Sequence, residues 1–321
     1  MARVRRVRPR RDAGISRTRS DDRFGYVTAD GHPVDPADAE RIDALAIPPA
    51  WTDVWICARP TGHVQAVGTD ADGRTQYIYH PDWRRRRDGA KYDRALALAA
   101  ALPTARGRAT RSLRAEGAAT EETVLAVAFR LLDLTGVRMG STAYLRRSGN
   151  RGLTTLQRRH LVVDGTAVRL VFRGKSGKRQ EIPLEDADVV TVLARLAEGS
   201  ARTVLLSWRE GRRRRSITPA RLNAYLGELT GGTFTAKDFR TLRGTIIAAQ
   251  ALAESGPQRK RAARLAAERT AVAACAAGLG NTPSVARSSY IDPRLFARYR
   301  SGRVLDTARS PDAALRDLLI G

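Results

Sequence analysis

Four residues in the second half of the chain carry side chains that together suit one kind of chemistry: Arg138, Lys175, Arg240 and Tyr290. A phosphodiester under attack gathers negative charge on its non-bridging oxygens. Two arginines can clamp those oxygens with donors that never deprotonate. A tyrosine can act as covalent nucleophile. A lysine can give a proton to the departing sugar oxygen, which an arginine cannot. Lysine is scarce here: Lys91, Lys175, Lys178, Lys237 and Lys260 are five among 57 basic residues. That bias makes Lys175 a pointer to proton transfer, although chance survivors are expected too. Taken alone, each residue has a plainer reading. Lys175 reads as a solvated turn lysine, and Tyr290 as a side chain packed at a helix end.

Other chemistries have less support. The four histidines, His32, His63, His80 and His160, all lie outside the helical C-terminal part, so a histidine relay or a metal centre is poorly supported there. No GxxxxGK[ST] loop occurs, and nucleotide chemistry lacks its phosphate cradle. Cys57 and Cys275 offer neither a disulfide framework nor zinc-ligand spacing, which suits a reducing compartment. No secretory pattern or membrane-length apolar run is found, so a soluble intracellular protein is expected. Lys and Arg exceed Asp and Glu by 57 to 33, for a net charge of +24. On a chain that is 42% hydrophobic, this implies a folded protein with a polyanionic partner, nucleic acid above all.

The length of 321 residues predicts two domains. Residues 1–20, rich in arginine and poor in apolar side chains, read as a flexible basic arm that either wraps phosphates or merely solubilises. Residues 21–104 read as a β-rich domain, with strands near 54–58, 63–67 and 75–80 and a helix over 92–102. Tyr77 and Tyr79 alternate onto one face of the third strand, which is either core or, with Arg84, Arg85, Arg86 and Arg87 close behind, a nucleic-acid contact. Residues 103–117 read as a hinge, and 105–321 as a mainly helical domain. In it, apolar spacing from Val124 to Leu132 predicts a helix stopped by Gly136, just before Arg138. A hairpin turning at Asp164-Gly165 is followed by a tight turn at 174–177, which places Lys175 at a hairpin tip. Helices are expected near 185–198, 218–229, 236–252 and 256–277, and a last one runs from Pro311 to Ile320. The stretch 203–208 reads as a strand or buried link, and 212–215 as a basic cluster. Thr282-Pro283 reads as N-cap and first position of a short helix that delivers Tyr290 about two turns on.

In order and spacing, these segments resemble a type IB DNA topoisomerase of the small bacterial and poxvirus kind. The fragments are Ile47-Pro48-Pro49-Ala50-Trp51, Gly73 through Trp83, Val137-Arg138-Met139-Gly140, Gly174-Lys175, Phe234 through Thr241, and Gly280-Asn281-Thr282-Pro283 through Tyr290-Ile291. The resemblance covers about residues 40 to 300 and implies an α+β fold. That fold is a two-domain C-shaped clamp, with a small β-rich N-terminal domain that binds DNA and a mainly helical catalytic domain with a small hairpin sheet, similar to that of tyrosine recombinases. The implied activity is relaxation of supercoiled duplex DNA through a 3′-phosphotyrosyl intermediate, without cofactor, ATP or metal, by a monomer in the nucleoid-bearing cytoplasm. It makes Tyr290 the nucleophile, Arg138 and Arg240 ligands of the scissile phosphate, and Lys175 the general acid. Gln76, Tyr77 and Tyr79 match a DNA-contacting segment, and Tyr144 and Lys237 match phosphate contacts. Viral relatives carry histidine where this chain has Asn281. An asparagine still donates a hydrogen bond to a phosphate oxygen, but it relays no proton.

Two other readings compete. A tyrosine recombinase uses a similar set, but usually carries His-x-x-Arg where this chain has Lys237-Asp238-Phe239-Arg240, and a helical domain where this chain has strands. A non-catalytic DNA-binding protein explains the charge and leaves the ordered Arg, Lys, Arg, Tyr series unexplained.

Overall fold

A computed structural model describes residues 3–20 and 23–321. The chain divides after Ala90 into two units, each with its own core. The first is a five-stranded antiparallel sheet of β1 (Gly14–Ser20), β2 (Arg23–Val27), β3 (Thr52–Cys57), β4 (Val64–Thr69) and β5 (Thr75–Tyr79), in the order β2-β1-β3-β4-β5. Helix α1 (Pro36–Ala44) starts on an Asp35 cap, whose carboxylate accepts the Asp38 N–H at 2.7 Å. Ile15, Ile42, Val54, Ile56 and Ala66 form one core cluster of this unit, and Val7, Cys57, Val64 and Val67 another.

The flexible arm expected over residues 1–20 is ordered wherever it is described, and Met1 and Ala2 lie outside the described residues. Arg5 bridges to Gly62, Val7 is buried with its N–H donating to His63 Nδ1 at 3.1 Å, and residues 14–20 are β1, bonded on both sides. The misreading came from treating every arginine as solvated. Arg17 instead donates to the carbonyls of Pro48, at 3.1 Å, and of Trp51, and Arg10 pairs with Asp53 at 2.8 Å. Two apolar side chains, Val7 and Ile15, suffice to anchor the segment.

The expected hinge over 103–117 is also not one. Helix α2 runs unbroken over Pro81–Leu113, with Pro103 inside it. Buried positions Tyr92, Ala95, Leu96, Ala99, Leu102, Ala105, Ala109 and Leu113 keep helical spacing through the proline. That burial offsets the lost backbone hydrogen bond, which costs about 3 kcal/mol in an unsupported helix interior. The division between units therefore lies within α2, after Ala90, and not at 104/105.

Helix α3 (Glu121–Thr135) is the axis of the second unit. Thr120 and Thr123 form its capping box and Gly136 ends it in a left-handed conformation. Buried on nearly every side, it packs against α5 (Ala187–Ala197), α6 (Pro219–Thr230) and α7 (Ala236–Ser255). Before α5 come the short α4 (Thr142–Ser148) and the antiparallel sheet β6 (Leu161–Asp164), β7 (Ala167–Arg173), β8 (Arg179–Leu184). The uncertain stretches 203–208 and 212–215 lead into and form a hairpin, β9 (Ser207–Glu210) with β10 (Arg213–Ser216). The chain finishes with α8 (Arg261–Leu279), α9 (Pro283–Ser289), α10 (Pro293–Arg300) and α11 (Pro311–Ile320). No described helix is long and apolar enough to cross a membrane.

Three of these helices meet at one cation. Arg106 of α2 donates to both carboxylate oxygens of Asp133 on α3, at 2.8 and 2.9 Å, and to Asp312 of α11 at 2.5 Å. Both aspartates are buried. Replacing Arg106 by Met should lower unfolding free energy by about 3 kcal/mol, because it leaves buried Asp312 unpaired and Asp133 with only Arg130, at 3.4 Å. Chemical denaturation checks this, and an unchanged midpoint would show the triad to be energetically idle.

Candidate active site

Arg138 follows directly on the α3 stop. Its loop is held close to residues 152–154: Leu153 N–H donates to Arg138 O and Thr154 N–H to Met139 O, both at 2.8 Å. The approach needs a glycine, since a Cβ on Gly152 would stand 2.5 Å from Gly140 N and 2.6 Å from Arg138 O. Arg240 sits just past the first turn of α7 and is 6% exposed. An N-terminal box fixes that turn, with Asp238 accepting from Thr235 N–H at 2.8 Å and from Arg94 at 2.7 Å. Arg240 donates through Nη1 to Gly136 O and through Nη2 to Leu279 O, the latter at 3.0 Å. Its Nε is buried without a protein partner.

Lys175 is exposed in the turn between β7 and β8, as expected. Ser176 beside it is left-handed, with φ of 61°. Arg138, Lys175, Arg240 and Gly280 line one cavity, together with Phe172, Gly174, Gln180 and Arg151. None of its three cations named at the outset pairs with a carboxylate among the described residues.

Tyr290 ends α9, its N–H donating to Ala286 O at 3.0 Å. Thr282 and Pro283 start that helix as cap and first residue. Beneath the tyrosine lies α7, where a Cβ on Gly244 would stand 2.8 Å from Tyr290 O and 2.9 Å from its Cβ. Thr245 Oγ1 lies 3.1 Å from Tyr290 O and accepts the Asp292 N–H at 3.1 Å. From the far side, buried Glu268 of α8 takes Arg300 of α10 in a two-pronged bond, at 2.7 and 2.8 Å, and meets Arg287 of α9 at 3.5 Å.

The Arg240 guanidinium carbon lies 5.0 Å from the Tyr290 ring centroid. Burial raises the tyrosine's pKa, but Arg240 and then Arg138 outweigh it and hold the phenol below its ordinary value. Asn281 Oδ1 accepts from Arg138 Nη2 at 2.5 Å, which turns the amide so that Nδ2 is the donor left over. That Nδ2 is buried and unpartnered, as is Arg240 Nε. Two orphaned donors, one of them on the Arg240 guanidinium itself, beside Arg138 and a phenol amount to an anion site.

A family model described as the eukaryotic DNA topoisomerase I catalytic core matches residues 80–300, and one described as the bacterial DNA topoisomerase IB N-terminal domain matches residues 23–70. A DNA topoisomerase 1B of Acanthamoeba polyphaga mimivirus is 29% identical over 312 residues, 91% of this chain and 92% of its own. The chain belongs to the type IB DNA topoisomerase family.

The other residues expected to matter in this topoisomerase are not among those lining that cavity. Lys237 is exposed on the first turn of α7, and Tyr144 is half-buried on α4, with Arg147 5.9 Å from its ring. In the first unit Tyr77 and Tyr79 share a face of β5, stacked with centroids 5.9 Å apart, and Tyr77 is 48% exposed. Arg87 lies 5.8 Å from the Tyr79 ring. Gln76 points the other way, its amide donating to Asp70 at 2.7 Å. Sequence reading missed Gly244, Thr245, Glu268 and Gln180, whose amide packs against Gly280. Gly244 alone left a signal, as a glycine inside a strong helical pattern.

Gly244→Ala separates positioning from folding. Alanine gains about 0.5–1 kcal/mol over glycine in a helix, whereas here its Cβ displaces Tyr290. Single-turnover strand cleavage should fall about 100-fold with DNA affinity retained. Cleavage at the wild-type rate would show that Tyr290 does not depend on this contact.

Proposed function

We propose that Tyr290 is the nucleophile of this DNA topoisomerase. Its phenolate oxygen attacks the scissile phosphorus, its proton having gone to solvent. The bond from phosphorus to the 5′-oxygen breaks, leaving a 3′-phosphotyrosyl link and a 5′-hydroxyl. Arg138 and Arg240 hold the non-bridging oxygens, Asn281 Nδ2 adds a neutral donor, and Lys175 protonates the leaving oxygen. The phosphotyrosyl bond conserves the energy of the one broken, so the cut strand rotates and the 5′-hydroxyl reverses the step. Supercoiled duplex DNA is relaxed without ATP or metal.

The observation that supports this most is the placement of Arg138 and Arg240 against the Tyr290 phenol, in a site with no acidic partner among the described residues. In the proposed complex the first unit contributes Gln76, Tyr77 and Tyr79 to DNA contact, the second contributes Tyr144 and Lys237, and the two close on the duplex as a C-shaped clamp. The catalytic unit would then share its plan with tyrosine recombinases. One chain carries a complete set of residues, which favours a monomer acting on the nucleoid in the cytoplasm.

Incubation with negatively supercoiled plasmid in EDTA, without ATP, tests the assignment. Wild type should relax the DNA and form a covalent adduct, and Tyr290→Phe should bind but do neither. Binding without relaxation by both proteins would favour an architectural role, and strand exchange between paired sites would favour a recombinase. For the general acid, Lys175→Ala should cleave ordinary DNA poorly yet recover on a 5′-bridging phosphorothiolate, whose sulfur leaves unprotonated. If the sulfur substitution brings no recovery, Lys175 is not the proton donor.

A further inference from the structure

Arg151 stands outside the residues given roles above, yet lines the same cavity as Arg138, Lys175 and Arg240. Its segment is tied to both sides of the lysine-bearing turn. Arg151 N–H donates to Arg173 O at 2.9 Å, and Asn150 Oδ1 accepts the Gly177 N–H at 3.1 Å. The half-buried guanidinium is itself tethered, donating from Nη1 to Thr155 O at 2.7 Å. That bond leaves the edge formed by Nε and Nη2 without a protein acceptor, and no carboxylate pairs with it, among the described residues. Burial and then the nearby Arg159 lower its pKa, and an arginine so placed keeps its charge.

The cavity thus gathers four cations and no carboxylate. Such crowding is unfavourable in a partly dry site until an anion enters. The other two arginines have part of their donor sets engaged: Arg240 on two carbonyls and Arg138 on Asn281. Arg151 presents a whole edge, the planar two-donor geometry that fits phosphate.

We propose that Arg151 is a further phosphate-binding residue of this site, its Nε–Nη2 edge taking a non-bridging oxygen of the scissile phosphodiester and supplying positive charge that the neutral Asn281 does not. The inference rests on the assignment of the site to phosphodiester cleavage.

The test is single-turnover cleavage at saturating enzyme by wild type, Arg151→Ala and Arg151→Lys. Loss of one charge-assisted contact should slow Arg151→Ala by about 10- to 100-fold on ordinary DNA. Arg151→Lys should recover part of the rate, since it restores the charge without the fork. The same proteins are then given DNA with a methylphosphonate at the cleavage site, which replaces one non-bridging oxygen by a methyl group. In the stereoisomer that lacks the oxygen held by Arg151, the alanine variant should match wild type. A wild-type rate for Arg151→Ala, or the same deficit on ordinary DNA and both stereoisomers, overturns the proposal. The second outcome would mark Arg151 as a prop for the lysine turn. Absence of any wild-type adduct overturns the underlying assignment as well. Absence of an effect in an active enzyme overturns only this inference.

Discussion

The site depends on holding Arg240 in a buried position without neutralising it. A carboxylate partner would stabilise the guanidinium and abolish its use toward an anion. The fold supplies carbonyl groups instead. Gly136 O closes α3 and Leu279 is the last residue of α8, so both belong to helix C-terminal turns whose carbonyls lack intrahelical partners. Those ends carry partial negative charge, which offsets desolvation while the net charge of the arginine persists. Burial still lowers its pKa, with Arg138 adding to the effect, but an arginine has range to spare.

Much of the second unit can be understood from that constraint. Two helices must end at one point, which requires left-handed residues at Gly136 and Gly280. A third, α7, must begin there to supply Arg240. Its next turn then passes under Tyr290, so the helix that places Arg240 also places the phenol, through Gly244 and Thr245. Glu268 draws α9 and α10 onto α8 from the other side. Acidic residues are thus used around the site as structural ties, while the cavity itself is left cationic.

This division explains what could be read from the sequence. Local signals were legible: the Gly136 stop, the tight turn carrying Lys175, and the Thr282-Pro283 start of the tyrosine helix follow from neighbours in the chain. The failures lie where a distant partner decides the outcome. Nothing near Arg17 says that it will serve the carbonyls of Pro48 and Trp51 and help order β1. Nothing near Pro103 says that Asp133 and Asp312 will hold α2 through Arg106. Nothing near Arg151 in the chain says that it will line the cavity with its guanidinium tethered to Thr155. Helix α10 was overlooked because it is short and follows α9 after a three-residue interval, although Asp292-Pro293 is a good start signal.

Asn281 brings these points together. Its Oδ1 is committed to Arg138, so the buried Nδ2 is the donor left over, and flipping the amide would set two donors against each other. A histidine there could share charge or a proton. The amide can do neither, and its role in the proposed reaction reduces to one oriented, neutral hydrogen bond. Proton transfer to the leaving oxygen then falls to a group that can release a proton, which excludes the arginines and points to Lys175. The charge deficit falls to the arginines that line the cavity. In a chain that uses arginine almost wherever it needs a cation, one of the five lysines thus stands where the proposed reaction needs a proton to move.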